Sequence, residues 1–594
     1  TFIIRQPKAL TLFLKISLKD NKLLDTINFL DQLCQFSALN CQSCHLSEFD
    51  HYLIDLIVEM KNSPVEIITA ILTLFQRIAS VMSSVSIVQR FISLLSPING
   101  RQIPKNMNLY LKTINNIVST ASRLPVASLP LTENSAKIEI QGLNSSDISS
   151  GFTFVFWINI DYSFAQYRPM ILTITDSKGK ILRWFLSATN LFCTQRSNEA
   201  ESNGKVDSNL PISTWTFVAV TYNVFADEHI VEMRTIFGSE EAKPLEFCEM
   251  PLQQGPLILT VGGVAPKSVH SDLITRLGAF GLFKPLYPEQ ISSIYEMGPR
   301  LSGLLSETPF FFYQLDEVND SLSLKTKSAL PNIEAKMSFA SIRFNTTFSD
   351  ILINFCKVEI LLPLFSELDM PMENGEIFPN FVKIVIELLG NTLAISNRAQ
   401  EMFRRASGFA IISHLLLSSS PKNIDYSLYL QFFTLMQSFT SEKLQIDMLK
   451  NILLNINIWI RTDAENHIRI IRHWARVIFP SLRYLISDLI SFQDILFMIR
   501  SFYYYEPVNE EEDNIQLKRC VGLNVAECRQ LMCNIASSLA SESMTVDDFD
   551  CLASHCITCV ETRQIPDLLR LLKSLIICHP SPLLRITSQI DVIY

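Results

Sequence analysis

Glycine and histidine are scarce in this 594-residue chain, with 17 and 9 residues respectively. So few glycines leave little material for a backbone cradle around phosphate. The spacings G-x-x-x-x-G-K-[S/T], G-x-G-x-x-G, G-x-S-x-G and H-E-x-x-H are all missing. Charge is also low. Charged residues make up 18% of the chain and the net charge is −9, with no run of Lys and Arg. That argues against nucleic acid as the main partner, because phosphate binding needs a basic surface. No stretch of 18 or more apolar residues occurs, so no transmembrane helix is expected. No secretory leader is visible, and the start at Thr1 reads as a piece of something longer.

What the chain has in quantity is hydrophobic side chains, 48% of all residues. That is far too apolar for disorder, so most of the sequence must bury a core. The 13 cysteines are ordinary usage. Cys356 and Cys578 sit in apolar helical segments, where a reduced thiol packs as a small hydrophobe. This favours a reducing, cytosolic setting in which the sequons at Asn144 and Asn345 go unused.

Residues 20–122 read as consecutive helices. Ser63-Pro64-Val65-Glu66 is a helix start, with Ser63 as cap, Pro64 in the first turn and Glu66 completing a capping box. Ile67, Ile68, Ile71, Leu72 and Phe75 then form one apolar face, and Pro97 ends the next helix, which carries Ile87, Phe91, Ile92 and Leu95. Helices resume near 348. Phe381, Ile384, Val385, Leu388 and Leu389 follow the 3.6-residue period, as do segments near 440–457, 463–478, 514–538 and 563–578. Helix pairs of about 40 residues suit an armadillo- or HEAT-like solenoid. The acidic run Glu510–Asp513 reads as a solvated loop.

Between 136 and 345 the texture is short β-branched and aromatic runs separated by turns. Phe152, Phe154, Phe156, Ile158 and Ile160 alternate along one run. Residues 170–175 and 181–186 flank the turn Asp176-Ser177-Lys178-Gly179, as a hairpin would. Further strands are expected at 136–143, 215–222, 229–236, 257–264, 276–283, 309–314 and 337–343, with one helix near 288–297. Many short strands without long helices between them indicate a sandwich. The expected divisions are a helical segment over 1–130, a β-sandwich over 131–345 and a solenoid over 346–594. A sandwich inserted in a helical array needs its ends together, so 136–143 is expected beside a strand near 276–284.

Several constellations invite chemistry and each has a plainer reading. Cys41-Gln42-Ser43-Cys44-His45 matches a c-type haem attachment spacing, which normally belongs to an exported protein. Cys551, His555, Cys556 and Cys559 offer four zinc ligands in nine residues. On one continuous helix they cannot surround a tetrahedral ion, so buried cysteines and a half-buried histidine are expected. Gly262-Gly263 reads as a bulge or turn, and Asp547-Asp548 as a helix start. No catalytic residue, cofactor site or metal site is assigned, and the binding residues stay open.

The order GFTFVFWINID (151–161), MILTITDSKGKILRWFL (170–186), TWTFVAVTY (214–222) and LGAFGLFKPLYPEQISSIYEMGP (277–299) resembles the concanavalin A-like domain of BEACH-domain proteins of the neurobeachin and lipopolysaccharide-responsive beige-like anchor group. The segments VEILLPLFSELD (358–369), FVKIVIELLGN (381–391), ILLNINIWIRT (452–462) and DILFMIRSFYYYEP (494–507) resemble that group's armadillo-like helices. The group's PH-like, BEACH and WD40 modules are not in this sequence. The resemblance implies an α+β multidomain chain, an α-solenoid interrupted by an all-β concanavalin A-like jelly-roll sandwich. It implies a non-catalytic scaffold of a large BEACH-type protein in vesicle trafficking and membrane-protein sorting. The setting would be cytoplasmic, peripheral on the cytosolic face of internal membranes. Partners would be proteins rather than nucleic acid or a small-molecule substrate, with membrane association indirect or through the other modules.

Two competing functions can be set beside it. A lectin would use exposed aromatics and calcium-binding carboxylates, for which Asp161, Asp176 and Asp227 are scattered candidates. A glycosidase needs two carboxylates across a cleft, and Glu232 is the main one in the strand interiors. Trp157, Trp184 and Trp215 lie in strand runs and are expected in the core rather than under a sugar.

Overall fold

The computed structural model describes residues 3–578, apart from 122–123, 132–135, 163–168, 197–200, 226–229, 249–253, 264–272, 301–304, 317–320, 325–327, 339–342, 505–521, 541–544 and scattered single positions. Its two compact units are Thr1–Ser96 with Pro104–Lys357, and Pro97–Ile103 with Val358–Tyr594.

The first unit opens with helices α1 (Ala9–Lys19), α2 (Leu23–Phe36), α3 (Ala38–Leu46), α4 (Phe49–Glu59), α5 (Val65–Val81), α6 (Val85–Ser93) and α7 (Met107–Ala121). On α5 the expected face is buried at Ile68, Ile71, Leu72 and Phe75, and Phe75 stacks on Phe91 of α6 at 4.6 Å. The start of α5 differs from expectation. Pro64 is itself the extended cap residue, and no side chain bonds the first turn. Ser63 therefore stands one position too early to reach the free amides. Polar ties between layers recur at similar spacing: Asn116–Gln76 (40 residues apart), Asn106–Lys61 (45) and Arg77–Asp31 (46).

The strands that follow are β1 (Ala127–Pro130), β2 (Lys137–Asn144), β3 (Gly151–Tyr162), β4 (Met170–Thr175), β5 (Ile181–Ser187), β6 (Asn190–Arg196), β7 (Glu201–Lys205), β8 (Trp215–Phe225), β9 (Ile230–Phe237), β10 (Glu240–Glu241), β11 (Leu245–Cys248), β12 (Pro256–Gly262) and β13 (Leu273–Phe283). Helix α8 (Pro288–Glu296) comes next, then β14 (Phe311–Asp316), β15 (Ser321–Leu324), β16 (Glu334–Ser338) and β17 (Arg343–Phe344). They form two antiparallel sheets. One runs β10-β9-β8-β3-β13-β1-β17 with β11, β14 and β15 attached, and the other runs β16-β2-β12-β4-β5-β6-β7.

The inter-sheet core takes Phe152, Phe154, Phe156, Ile158 and Ile160 from β3, facing Ile138, Ile174, Trp184 and Leu259 of the other sheet. The reverse face of β3 is buried too. Val155 and Trp157 join Phe217 and Ala219 beneath Ile291 and Ile294 of α8. A strand covered on both faces explains why 151–160 is apolar almost throughout. Where β3 starts beside the end of its ladder partner β8, only glycine fits. Gly151 has φ +111°, and a Cβ there would lie 2.1 Å from the Tyr222 carbonyl oxygen.

The expected pairing of 136–143 with 276–284 is not what forms. Strand β2 lies between β16 and β12 in the opposite sheet, and β13 lies between β3 and β1, meeting β1 through Leu129↔Leu277. Four residues are too few to show alternation, so β1 escapes a periodicity reading. The underlying requirement is met through other residues, because Ala127 of β1 pairs with Phe344 of β17.

Beyond β17 the chain re-enters the helical layer. Helix α9 (Phe348–Ile351) starts on a Thr347–Asp350 capping box and runs into a π-turn, Leu352–Cys356. Phe348 meets Phe91 edge-on at 6.0 Å, and the Ser83 amide donates to the Thr346 carbonyl at 2.8 Å. Arg300, inside the insertion, donates to the Ala121 and Leu124 carbonyls at 2.9 and 3.0 Å and to Asp350 at 2.9 Å. One guanidinium thus ties the outgoing chain to the returning one.

The second unit is an α-solenoid. A 3-10 segment, Val358–Ser366, leads to α10 (Phe381–Ala394), α11 (Asn397–Arg405), α12 (Gly408–Ser418), α13 (Tyr426–Ser438), α14 (Glu442–Met448), α15 (Ile456–Trp459) and α16 (Ala464–His473). Then come α17 (Phe479–Ser481), α18 (Arg483–Ile486), α19 (Phe492–Phe502), α20 (Val525–Ala540), α21 (Val546–Thr558) and α22 (Ile565–Cys578). Hydrogen bonds between successive layers span 42 residues for Asn455–Ser413, 43 for Thr440–Asn397 and 44 for Tyr429–His473. This is the helix-pair spacing expected from the apolar pattern. Arg461 donates to the Leu416 and Leu417 carbonyls at 2.9 and 2.6 Å, satisfying the free end of α12. The segment 514–521 of the expected helix at 514–538 and the acidic run 510–513 lie outside the described residues. No helix of the described residues is long and apolar enough to cross a membrane.

Candidate functional site

The solenoid unit carries a groove of about 890 Å³. Its walls come from α15 and the residues before it, from α19, and from the end of α21 with the turn that follows. Leu454, Ile456, Ile490, Met498 and Phe502 give it an apolar floor, and Phe497 stands at its edge 67% exposed. Phe497 faces out because α19 spends its inner stripe on Phe492, Ile495, Leu496 and Ile499, all buried. Lys450 and Arg500 add cationic groups. The groove's carboxylates are already engaged. Asp494 closes the capping box with Ser491 at 2.7 Å, and Glu561 faces the buried Arg529 at 3.3 Å.

Beneath the groove runs a buried polar chain. The Trp459 carbonyl accepts from His467 Nδ1 at 2.9 Å, which leaves Nε2 to accept from the Tyr503 hydroxyl at 2.9 Å. The Tyr503 carbonyl accepts from Arg529 Nε at 3.1 Å, and Arg529 reaches Asp567 at 3.5 Å. Gln564 donates to Glu561 at 2.6 Å. Burial pulls His467 down to about 4, so the ring is neutral near pH 7 and works as a strut. Burial lowers His555 as well, helped by the Arg500 charge. Such a groove can hold an apolar side chain with an acidic flank. Among the described residues it presents no nucleophile aligned with a base.

The residues singled out in the sequence fall in separate places. Cys41, Cys44 and His45 lie on α3. Cys41 and Cys44 are buried with Cys34, whose Sγ is 4.0 Å from that of Cys44, and His45 bonds Asp50 at 2.5 Å. Cys551, His555 and Cys556 share α21, and Cys559 follows its last turn. Among the described residues no group of His, Cys, Asp and Glu is placed to hold a metal ion.

Asp161 is fully buried and accepts from Ser37 and Ser213 hydroxyls at 2.9 and 3.1 Å. Asp176 accepts from the Lys178 and Lys180 amides, both at 2.9 Å, and so shapes its own turn. Asp227 and Asn345 lie outside the described residues. Glu232 pairs with Arg234 at 2.9 Å on β9. Trp157 and Trp184 are buried in the two sheet cores, and Trp215 packs against the outer one. Gly262 and Gly263 have φ of +85° and +96°, as a turn requires, and Asp548 closes the cap of α21 with Thr545. Sequence reasoning missed Gln195, Arg529 and Glu367, whose polar side chains sit in runs that otherwise look like ordinary strand or helix.

Comparison with known proteins places these helices. Residues 346–593 match the family described as Neurobeachin/BDCP, DUF4704 alpha solenoid region. A neurobeachin homologue of Caenorhabditis elegans is 21% identical over 366 residues, 55% of this chain and 15% of that protein, and its Caenorhabditis briggsae counterpart is 20% identical over 366 residues. The chain therefore spans a small part of the relatives it matches. A DNA ligase of Nitratidesulfovibrio vulgaris is 26% identical over 129 residues, 20% of this chain and 18% of the ligase. Among solved structures, a heptameric pentraxin from Limulus polyphemus aligns over 36% of this chain and 96% of its own, with 12% identity and a TM-score of 0.24. A botulinum neurotoxin serotype C1 binding domain aligns over 28% and 46%, with 16% identity and a TM-score of 0.23. Scores this low carry nothing about what this chain binds. The chain, an α-solenoid interrupted by a β-sandwich, is thus similar to neurobeachin homologues over 366 residues and to their solenoid family over 346–593.

Proposed function

We propose that the chain is a non-catalytic scaffold segment of a BEACH-type protein, acting in vesicle trafficking and membrane-protein sorting. In this reading it works in the cytoplasm, on the cytosolic face of internal membranes, by holding protein partners. The observation that carries it is the solenoid groove, with exposed Phe497 beside Lys450 and Arg500 and with its carboxylates engaged. The partner segment offers an apolar anchor flanked by Asp or Glu, since buried aromatic anchors dominate such interfaces and charge selects among them. A chain of net charge −9 is a poor ligand for anionic lipid, so membrane recruitment comes through partners or other modules. The carbohydrate reading has weaker support, because the tryptophans are packed in cores and Asp161 and Asp176 are engaged within the fold.

The test is capture of partners from cell lysate by the full chain, compared with Phe497→Asp and Arg500→Glu variants. Partners held through the groove are lost in both variants while the thermal unfolding profile is retained. Equal capture by wild type and both variants removes the groove from the argument. Strong, salt-sensitive flotation of the chain with phosphatidylserine vesicles would instead make it a membrane reader.

A further inference from the structure

Three buried thiols meet where α2 turns into α3. Cys34 lies in the last turn of α2, and Cys41 and Cys44 lie on α3 as the C-x-x-C pair of the sequence. They are 3%, 1% and 1% exposed. The Cys34 and Cys44 sulfurs are 4.0 Å apart, and the Cys41 thiol donates to the Cys34 carbonyl at 3.4 Å. They are not placed to hold a metal ion.

The three thiols are not equivalent. Hydrogen bonds directed at its sulfur by Cys41 and Cys44 hold the Cys34 thiol below its ordinary value, and the same bonds push Cys41 and Cys44 up. Asp31 and Arg77, paired at 2.6 Å, act on Cys34 in opposite senses. In the sandwich the fully buried Cys193 shows the contrast, because desolvation alone pushes its thiol up. Cys34 is thus the nucleophile of the cluster, with Cys44 within reach as a resolving thiol.

The corner that carries them also seats the sandwich. The Leu33 carbonyl accepts from the Asn40 side chain at 2.6 Å, and the Phe36 carbonyl accepts from Ser213 at 3.2 Å. Ser37 is the single residue between the two helices, and its hydroxyl donates to Asp161 of β3 at 2.9 Å.

We infer that Cys34 and Cys44 form a reversible disulfide when the chain meets a hydroperoxide, locking the corner on which the sandwich sits. The Cys34 sulfur attacks one peroxide oxygen and the O–O bond breaks. The departing oxygen takes the thiol proton and leaves as water or alcohol, with sulfenic acid at Cys34. The Cys44 sulfur then attacks the Cys34 sulfur, the S–O bond breaks, and the hydroxyl leaves as water with the Cys44 proton. Two thiols lose two electrons and the peroxide gains them. The sulfurs must close from 4.0 Å to about 2 Å, so α3 swings toward α2 about Ser37. Burial makes the reaction wait for an opening of the corner. Closure afterwards keeps a second peroxide away and stops the oxidation at the disulfide. A reductant such as a dithiol reverses it.

Peptide mapping of the full chain tests this. Reduced protein is treated with hydrogen peroxide, alkylated, and digested without reduction. A Cys34–Cys44 linked pair is expected, two hydrogens lighter than the free thiols and cleaved by dithiothreitol. Cys34→Ser abolishes the link, and Cys41→Ser retains it. In Cys44→Ser the oxidation stalls at a Cys34 sulfenic acid that dimedone labels. Amides of residues 34–46 exchange with solvent at least about tenfold more slowly in the linked form. Should a serine variant fail to fold, the wild-type map decides by itself. The inference is overturned if Cys34 and Cys44 remain thiols while the half-exposed Cys356, Cys551, Cys556 and Cys559 oxidise. It is also overturned if Cys34 pairs with another cysteine, if peroxide carries Cys34 to sulfinic acid without a link, or if the linked corner exchanges as before.

Discussion

The Ser37 hydroxyl donates to Oδ1 of Asp161 at 2.9 Å, joining the turn between α2 and α3 to strand β3 across 124 residues of sequence. Ser213 donates to the same oxygen at 3.1 Å and also reaches the Phe36 carbonyl at 3.2 Å. A carboxylate that read as a calcium ligand is thus a bolt between the helical segment and the sandwich. Ser37→Ala removes a donor from a fully buried charge and should cost about 1–3 kcal/mol. Asp161→Asn keeps an accepting oxygen and should cost less. Thermal unfolding of the three proteins gives the order. Millimolar calcium should leave the wild-type midpoint unmoved, and a calcium-induced rise would restore Asp161 as a ligand.

Arg529 should be among the most sensitive positions of the solenoid unit. It is fully buried and answers the Tyr503 carbonyl, Glu561 and Asp567 together. Arg529→Met leaves those acceptors without their cation and should destabilise by about 3–5 kcal/mol. Adding Glu561→Gln should recover part of the loss, because one stranded charge is removed. Chemical denaturation measures both. A single-variant loss under about 1 kcal/mol would contradict the network.

Two buried groups in the solenoid unit give opposite pH dependences. His467 is held down to about 4 by burial. The unfolded ring binds protons first, so its contribution is fully present above about pH 6.5 and is lost as pH falls toward 4. His473 and His555 are lowered by burial in the same sense. Glu367 is only 4% exposed and is raised by burial to about 7. Its folded form holds a proton, so its contribution is present below about pH 4.5 and is lost as pH rises through 7. Glu367→Gln should stabilise the chain at pH 8 by on the order of 1–3 kcal/mol and do little at pH 4.5. Unfolding at the two pH values shows this directly, and an equal gain at both would assign the effect to packing.

Gly151→Ala should open the sandwich where β3 starts. A Cβ would sit 2.1 Å from the Tyr222 carbonyl, and φ there is +111°. The two strands must part or the backbone must strain, so a loss of more than about 1 kcal/mol is expected. A variant with a wild-type midpoint would show that β3 and β8 can shift apart freely.

How far the sequence could be read depended on how local each cause is. The run at 181–186 was legible because burial alternates along it, and those at 151–160 and 215–222 because β-branched and aromatic residues fill strands packed on both faces. The helix pairs were legible because their stripes repeat within one turn. Strand β1 was not, since four residues carry no period. The pairing partner of β2 was mistaken because β1, which takes the place beside β13, was missed. The groove draws on residues from Lys450 to Gln564, and a cavity of the sandwich on residues from Asn144 to Gly255. Neither leaves a motif, because each wall residue obeys the pattern of its own helix or strand. Gln195 is the clearest case. It occupies an inward position of β6, where an amide in place of an aliphatic residue is the sole trace of a cavity.

The pairing of Ala127 with Phe344 has a mechanical consequence. When the chain is pulled along its backbone, the insertion feels that tension where the chain enters and leaves. There the two strands are antiparallel with their free ends side by side, so a pull peels the ladder one hydrogen-bonded pair at a time instead of shearing it as a block. Among the described residues, the Ala127–Phe344 and Ser128–Arg343 pairs stand in series before β13 takes the strain. Arg300 spans the same fork from Ala121 and Leu124 to Asp350 and acts as the catch that must slip first. Stretching this chain should therefore give a weak early yield at the fork, with the sandwich core intact behind it.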